Sequence, residues 1–306
     1  MTARETMSTG EPSILKRAPS RAQPRLGATS RMRLRAPISA LLLLMGTGTG
    51  LFALQRGGNG QDEYGGAREA FSTSDIDTGK NEYSWSRLRY TAAGGGNGGY
   101  GYGRWSSWSR DYPKADRQFL IALKRLTRIN ARPVEQVVDL DSVGPASIEN
   151  FPWVYAVQAQ TWTFTESEAK RMREYLLKGG FLMVDDFHGA ADWERFMNGM
   201  LMVFPDRPVE DLTDKDEIFH VLYDLTDRFQ IPGEQYVSTG RTYEKDGYIA
   251  EWRGIKDDRG RVMVAICHNM HLGDAWEWAD DPRYPEKFAS LAFRLGINYV
   301  MYGMTH

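Results

Sequence analysis

The chain has a single cysteine, Cys267, so no disulfide can form within it, and its fold rests on packing and hydrogen bonding. One cysteine does not fix the compartment, because many exported domains carry none. A broad excess of positive charge is missing as well. The net charge is −2, but eight basic side chains crowd residues 1–35 (Arg4, Lys16, Arg17, Arg21, Arg25, Arg31, Arg33, Arg35) against Glu5 and Glu11, which leaves −8 for the remainder. That acidic body lacks the basic face needed to displace counterions, which argues against general nucleic-acid binding. Gly94–Gly103, GGGNGGYGYG, lacks the Gly-Lys-Ser/Thr ending of a phosphate cradle and reads as a flexible rim loop. No internal repeat is visible, and no complete set of catalytic residues stands out.

Long uncharged runs are scarce too, and the notable one follows the basic stretch. Ala36–Leu54, APISALLLLMGTGTGLFAL, has no charge in 19 residues. At about 1.5 Å per residue, a helix of that length just spans a ~30 Å hydrocarbon core. Basic residues ahead of it hold the N-terminus in the cytoplasm and send the rest across. The run is expected to be a retained signal anchor, with a cleaved signal peptide as the alternative. No cysteine follows it, which excludes a lipoprotein anchor. The expected organisation is a basic cytoplasmic region 1–35, the apolar helix 36–54, a Gly-rich disordered linker 55–82 and a globular domain 83–306. The body belongs at the outer face of the inner membrane, in the periplasm.

Apolar residues make up 42% of the chain and include 9 Trp, 15 Tyr and 13 Phe, ample bulk for a core. Tyr83–Tyr90 alternates like a strand. Lys114–Ile129 places Phe119, Ala122, Leu123 and Leu126 on one helical face. Val134–Leu140 and Trp153–Gln158 follow as strands, the second apolar throughout as burial on both faces requires. Thr165 with Glu168 forms a capping box, and Gly179-Gly180 ends that helix. Phe181–Asp185 is the next buried strand, and Trp193–Phe204 the next helix. Tyr248–Ile255 and Arg261–Cys267 pair through an Asp257–Gly260 turn. A last helix from Pro285 buries Phe288, Leu291, Ala292, Leu295 and Tyr299. This rhythm predicts an α/β fold, a doubly wound and mostly parallel sheet, preceded by the hydrophobic helix.

In such sheets ligands sit beyond the carboxyl ends of the strands. Three polar segments follow predicted strands, and parallel strands would deliver them to one rim. They contribute Gln158 and Gln160; Asp185, Asp186 and His188; and His268, Asn269, His271 and Asp274, all candidate ligand-binding residues. Asp and His side chains suit zinc, iron or manganese, with Asp185 or Asp186, His188, His268, His271 and Asp274 as candidate ligands. The spacing matches no strong metal signature, and the same residues could simply hydrogen-bond loops and helix ends at the sheet edge. Neighbours on a strand point to opposite faces, so Asp185 and Asp186 can both enter a site only if the strand ends between them. Trp276-Glu277-Trp278-Ala279-Asp280-Asp281 could stack a sugar ring or pin a loop to the core. Cys267 follows Val262, Val264 and Ile266 and reads as a small core residue.

Leu177–Asp186, LKGGFLMVDD, and the tail Leu272–Tyr302, LGDAWEWADDPRYPEKFASLAFRLGINYVMY, resemble the bacterial family called domain of unknown function 4159, and Arg87-Leu88-Arg89-Tyr90 fits it as well. The resemblance spans roughly residues 84–306. That family resembles in turn the class I glutamine amidotransferase-like fold, a flavodoxin-like sheet shared with sugar-processing relatives. Amidotransferases place a nucleophilic cysteine at a strand-to-helix elbow. The matching turn here, Val184–Gly189, holds no Cys or Ser, and Cys267 follows another strand, so amidotransferase activity is disfavoured. The expectation is a membrane-anchored, non-catalytic ligand- or partner-binding domain whose partner is an envelope protein or a glycan. The alternative is a metal-dependent hydrolase or sugar-modifying enzyme using the Asp/His rim.

Overall fold

The computed structural model describes residues 81–93 and 107–306. The basic region, the apolar run 36–54, nearly all of the linker and the loop Gly94–Gly103 lie outside them. No helix among the described residues is long and apolar enough to cross a membrane.

The chain forms a mixed α/β structure. Its strands are β1 (Ser86–Arg89), β2 (Thr91–Ala92), β3 (Gln136–Asp139), β4 (Trp153–Val157), β5 (Trp162–Thr163), β6 (Phe181–Asp185), β7 (Glu210–Asp211), β8 (Glu251–Lys256) and β9 (Val262–His268). The main helices are α1 (Lys114–Leu126), α2 (Glu166–Leu177), α3 (Gly189–Val203), α4 (Gln235–Thr239), α5 (Leu272–Glu277) and α6 (Glu286–Thr305). Seven strands build one sheet in the order β3-β1-β4-β6-β9-β8-β7, and β2 pairs with β5 apart from it. β3, β1, β4, β6 and β9 run parallel, whereas β8 and β7 continue the sheet antiparallel. From β1 the chain steps outward to β3 and then back across to β4 and β6, so the strand order reverses between β1 and β4. Ligands of open α/β sheets gather beyond the carboxyl ends of strands at such a reversal.

Burial follows from this layering. β4 and β6 are buried at every residue because helices cover both faces. Trp153, Tyr155, Val157, Phe181 and Met183 pack on one side with Phe119, Trp276 and Leu295, drawn from α1, α5 and α6. Val154, Ala156, Leu182 and Val184 pack on the other with Met172, Leu176, Phe196 and Met200, drawn from α2 and α3.

The local signals read from the sequence appear with shifted edges. Thr165 Oγ1 accepts from the Glu168 backbone N–H while the Glu168 carboxylate accepts from the Thr165 N–H, completing the capping box. Gly179 follows α2 with φ +113°, a conformation that costs glycine least. The Asp257–Gly260 turn forms through the Asp257 carboxylate, which accepts from the N–H groups of Arg259 and Arg261. α6 buries all five residues of its predicted face.

Several boundaries shift, and four of the corrections matter most. The first strand is Ser86–Arg89, not Tyr83–Tyr90. α1 stops at Leu126, not Ile129, because the Thr127 hydroxyl donates to the Leu123 carbonyl and its backbone turns extended. Its buried face is accordingly Ala115, Asp116, Phe119, Leu120 and Leu123, with Leu126 exposed. The strand expected from Tyr248 begins at Glu251, and Tyr248 and Ile249 are exposed. α3 begins at Gly189, not Trp193, because distant residues cap it: Asn269 Oδ1 accepts from Gly189 N–H and Asp246 Oδ2 from Ala190 N–H.

Candidate functional site

The parallel register carries the ends of β4, β6 and β9 to one edge. Val157 lies opposite Asp185, and Val184 opposite Ile266. Alternation along β6 sends Asp185 to the side of Tyr155 and Cys267, into the layer covered by α1, α5 and α6. There the Tyr155 hydroxyl and the Gly273 N–H both donate to Asp185 Oδ2, at 3.1 and 2.9 Å. By alternation alone Asp186 should face away. It adopts φ +56°, however, and the strand ends between the two, so both aspartates enter the site.

His271 is the hub. Its Nε2 lies 2.9 Å from Asp111 Oδ2 and 3.4 Å from Asp186 Oδ2, and its Nδ1 lies 3.1 Å from Asp274 Oδ2. Asp186 Oδ1 in turn lies 3.4 Å from His188 Nε2, with Glu244 3.6 Å from the same nitrogen. Asp111, Asp185, Asp186, His188, His271 and Asp274 are all buried. Their close packing depends on backbone bareness at Gly273, where a Cβ would meet Asp111 Oδ2 at 2.6 Å and the Tyr155 hydroxyl at 2.9 Å.

Beneath the cluster, Arg87 of β1 is fully buried and paired with Asp116 of α1 at 2.6 Å. It also donates to the carbonyls of Trp108 and Arg110 and lies 4.7 Å from the centre of the Tyr155 ring. Arg87 therefore fixes the turn that presents Asp111 and backs the tyrosine that holds Asp185. Burial weakens the guanidinium, but Asp116 outweighs it and keeps Arg87 charged.

The electrostatics are those of acids crowded out of water. Burial lifts Asp111 to about 7 despite the opposing pull of His271, and lifts Asp185 to about 6. Burial disfavours charge on His271, yet Asp186, Asp274 and Asp111 together push it well above the ordinary imidazole value. Asp274, buried as well, is nevertheless brought down to about 2 by His271. Among the described residues, several polar atoms have no hydrogen-bond partner: Asp185 Oδ1, Asp186 Oδ2 and both ring nitrogens of His188. Such groups call for an explanation, since burying a polar atom unpaired costs on the order of 1–3 kcal/mol. Among the described residues, Asp111, His271 and Asp274 offer ligand atoms within 4.8 Å of one another, a set able to hold a metal ion.

The structure thus brings together five of the residues singled out in the sequence: Asp185, Asp186, His188, His271 and Asp274. The side chains of four others make no hydrogen bond or ion pair to these five among the described residues. His268 lies on the opposite face of β9 from Cys267, stacked near Phe187 and Trp193, with its ring nitrogens at Glu251 and at the Gly189 carbonyl. That placement removes it from the proposed metal set. Asn269 pins the start of α3 and the Ile249 carbonyl. Gln158 joins the edge through its backbone, its N–H donating to the Asp185 carbonyl, and Gln160 Oε1 is buried without a partner. Trp276 is buried against Trp85, Phe119 and Tyr155, which leaves it no free face for a sugar. Cys267 is buried, its thiol 3.9 Å from the Tyr299 hydroxyl and pushed up by burial, as a core residue.

Sequence reading missed Asp111, Tyr155 and Arg87. Asp111 sits in a turn next to the glycine loop, far from any strand end, and nothing local marks it. Arg87 is one of two arginines in a four-residue strand, and only the structure separates it, buried, from the exposed Arg89.

No curated protein matches the chain. The family described as "Domain of unknown function (DUF4159)" matches residues 99–304, most of the α/β body including Asp111 and the whole His271 cluster. The chain belongs to the DUF4159 family.

Proposed function

We propose that this domain binds a small polar ligand at the carboxyl edge of its sheet, at the polar cluster around His271, and does so outside the cytoplasmic membrane. The carrying observation is the set of buried atoms at Asp185, Asp186 and His188 that make no hydrogen bond among the described residues, which a ligand would satisfy. Surplus carboxylates select against anions and favour hydroxyl-rich or cationic ligands. The basic stretch followed by Ala36–Leu54 supports attachment to the inner membrane. The reversal of strand order and the strand-to-helix turn at Asp186 support the glutamine amidotransferase-like, flavodoxin-like variant of the fold.

A second reading, hydrolysis, is favoured by one particular arrangement. Asp186 stands with positive φ at a strand-to-helix elbow, where hydrolases of comparable fold present a nucleophile, and His271 lies near it with Asp274 on its other nitrogen. Asp111 and Asp185, lifted to about 7 and about 6, are in the range useful for proton transfer near neutrality.

Thermal unfolding of the full-length chain against a panel of monosaccharides, polyols and diamines tests the binding reading. At least one compound should raise the midpoint of the wild type and not that of His188→Ala, by the linkage between binding and folding. A panel without effect, or a shift that survives in His188→Ala, would reject it.

A further inference from the structure

The same edge has a feature that an organic ligand alone does not explain. Three carboxylates, from Asp111, Asp186 and Asp274, converge on the single imidazole of His271. No lysine or arginine forms an ion pair with any of the three among the described residues. Asp186 Oδ2 is buried, lies 3.4 Å from His271 Nε2 and accepts no hydrogen bond among the described residues. It is aimed at the imidazole by a backbone with φ +56°, a conformation non-glycine residues adopt at a cost.

Oxygen and nitrogen ligands held at about 2.1 Å around one ion stand roughly 3.0–3.4 Å apart, from octahedral to tetrahedral edges. The two contacts at His271 Nε2, 2.9 Å to Asp111 and 3.4 Å to Asp186, fall about that range, while Asp274 sits on the other ring nitrogen, Nδ1, at 3.1 Å. An anion is ill suited to this place, because the nearby N-terminus of α3 is already filled by the side chains of Asn269 and Asp246.

We propose that Asp111, Asp186 and His271 Nε2 hold a divalent first-row metal ion of the manganese or zinc class, with Asp274 on His271 Nδ1 behind them. Carboxylates with one imidazole suit these ions. One ring nitrogen of His271 takes the ion while the other keeps its carboxylate, which fixes the ring. Asp185, held by Tyr155 and Gly273, stands beside the ion and orders its surroundings. The inference rests on the ligand-site reading and names the first occupant of that site.

The test uses the full-length chain, stripped with EDTA and dialysed, then titrated calorimetrically with MnCl2 and separately with ZnCl2, with metal per chain measured by atomic emission. One saturable equivalent per chain is expected. Asp111→Asn and His271→Gln should each weaken it at least about tenfold, whereas His268→Gln, on the opposite face of β9, should leave it unchanged. Circular dichroism checks folding. Should His271→Gln fail to fold, the isosteric Asp111→Asn and Asp274→Asn decide. Absence of saturable uptake by the wild type, or uptake indifferent to these substitutions, overturns the proposal. Shifts from the organic panel without metal uptake would discard the ion and keep the ligand site. Metal uptake abolished at His271 without such shifts would keep the ion and discard the organic ligand.

Discussion

At the scale of single residues, the sharpest feature is the cost of the site to its own fold. Asp185 is buried and titrates near 6 when folded, above its ordinary value of 3.8. A group whose folded value is raised supports the folded state fully below its unfolded value and loses that support as pH climbs through the folded one. The protonated Asp185 is thus the favoured form, and its contribution falls away between about pH 4 and pH 6, by on the order of 2–3 kcal/mol. Asp185→Asn keeps the shape and removes the charge. In metal-free buffer, the stability difference between wild type and Asp185→Asn, followed by urea unfolding, should grow in the variant's favour across that window. A difference independent of pH would refute the assignment. Asp274 has the opposite sign: held near 2, it supports the fold above its ordinary value and yields that support only in strong acid.

At the scale of elements, the buried Arg87–Asp116 pair ties β1 to α1 and, through the carbonyls of Trp108 and Arg110, to the turn bearing Asp111. Removing one partner of a buried pair strands the other charge. Arg87→Met should therefore cost about 3–5 kcal/mol in urea unfolding, while Arg87→Met with Asp116→Leu should cost clearly less. Equal losses in both would show that packing, not charge, makes the link. Much at this scale was legible in the sequence because its causes are local. The capping box at Thr165 and Glu168, the uninterrupted apolar runs of β4 and β6, and the hairpin turn at Asp257 are each written within a few residues. The start of α3 was not, since Asn269 and Asp246 cap it from far along the chain. The site was half legible for the same reason. Strand ends announced Asp185, His188 and His271, but alternation, already enough to part Cys267 from His268, was not carried across the sheet to place His268 on the far face. Asp111 reaches His271 across 160 positions of sequence, beyond any local pattern.

At the scale of the whole molecule, two claims stand apart. The first concerns address: a reporter that is active only outside the cytoplasm, fused after His306, should work in the full-length chain, and activity confined to the cell interior would reject the anchor at 36–54. The second is central, that the cluster around His271 exists for a ligand and not for the fold. Functional sites keep unpaired, strained groups that the structure would be more stable without. Asn tolerates positive φ and matches Asp in shape, so Asp186→Asn removes the third carboxylate from an imidazole whose two nitrogens Asp111 and Asp274 already hold. Global unfolding of the metal-free full-length chain at neutral pH measures this directly. Asp186→Asn should be as stable as the wild type or more so, by up to about 1–2 kcal/mol. A loss of that size instead would mean Asp186 holds the fold together, and would contradict the account.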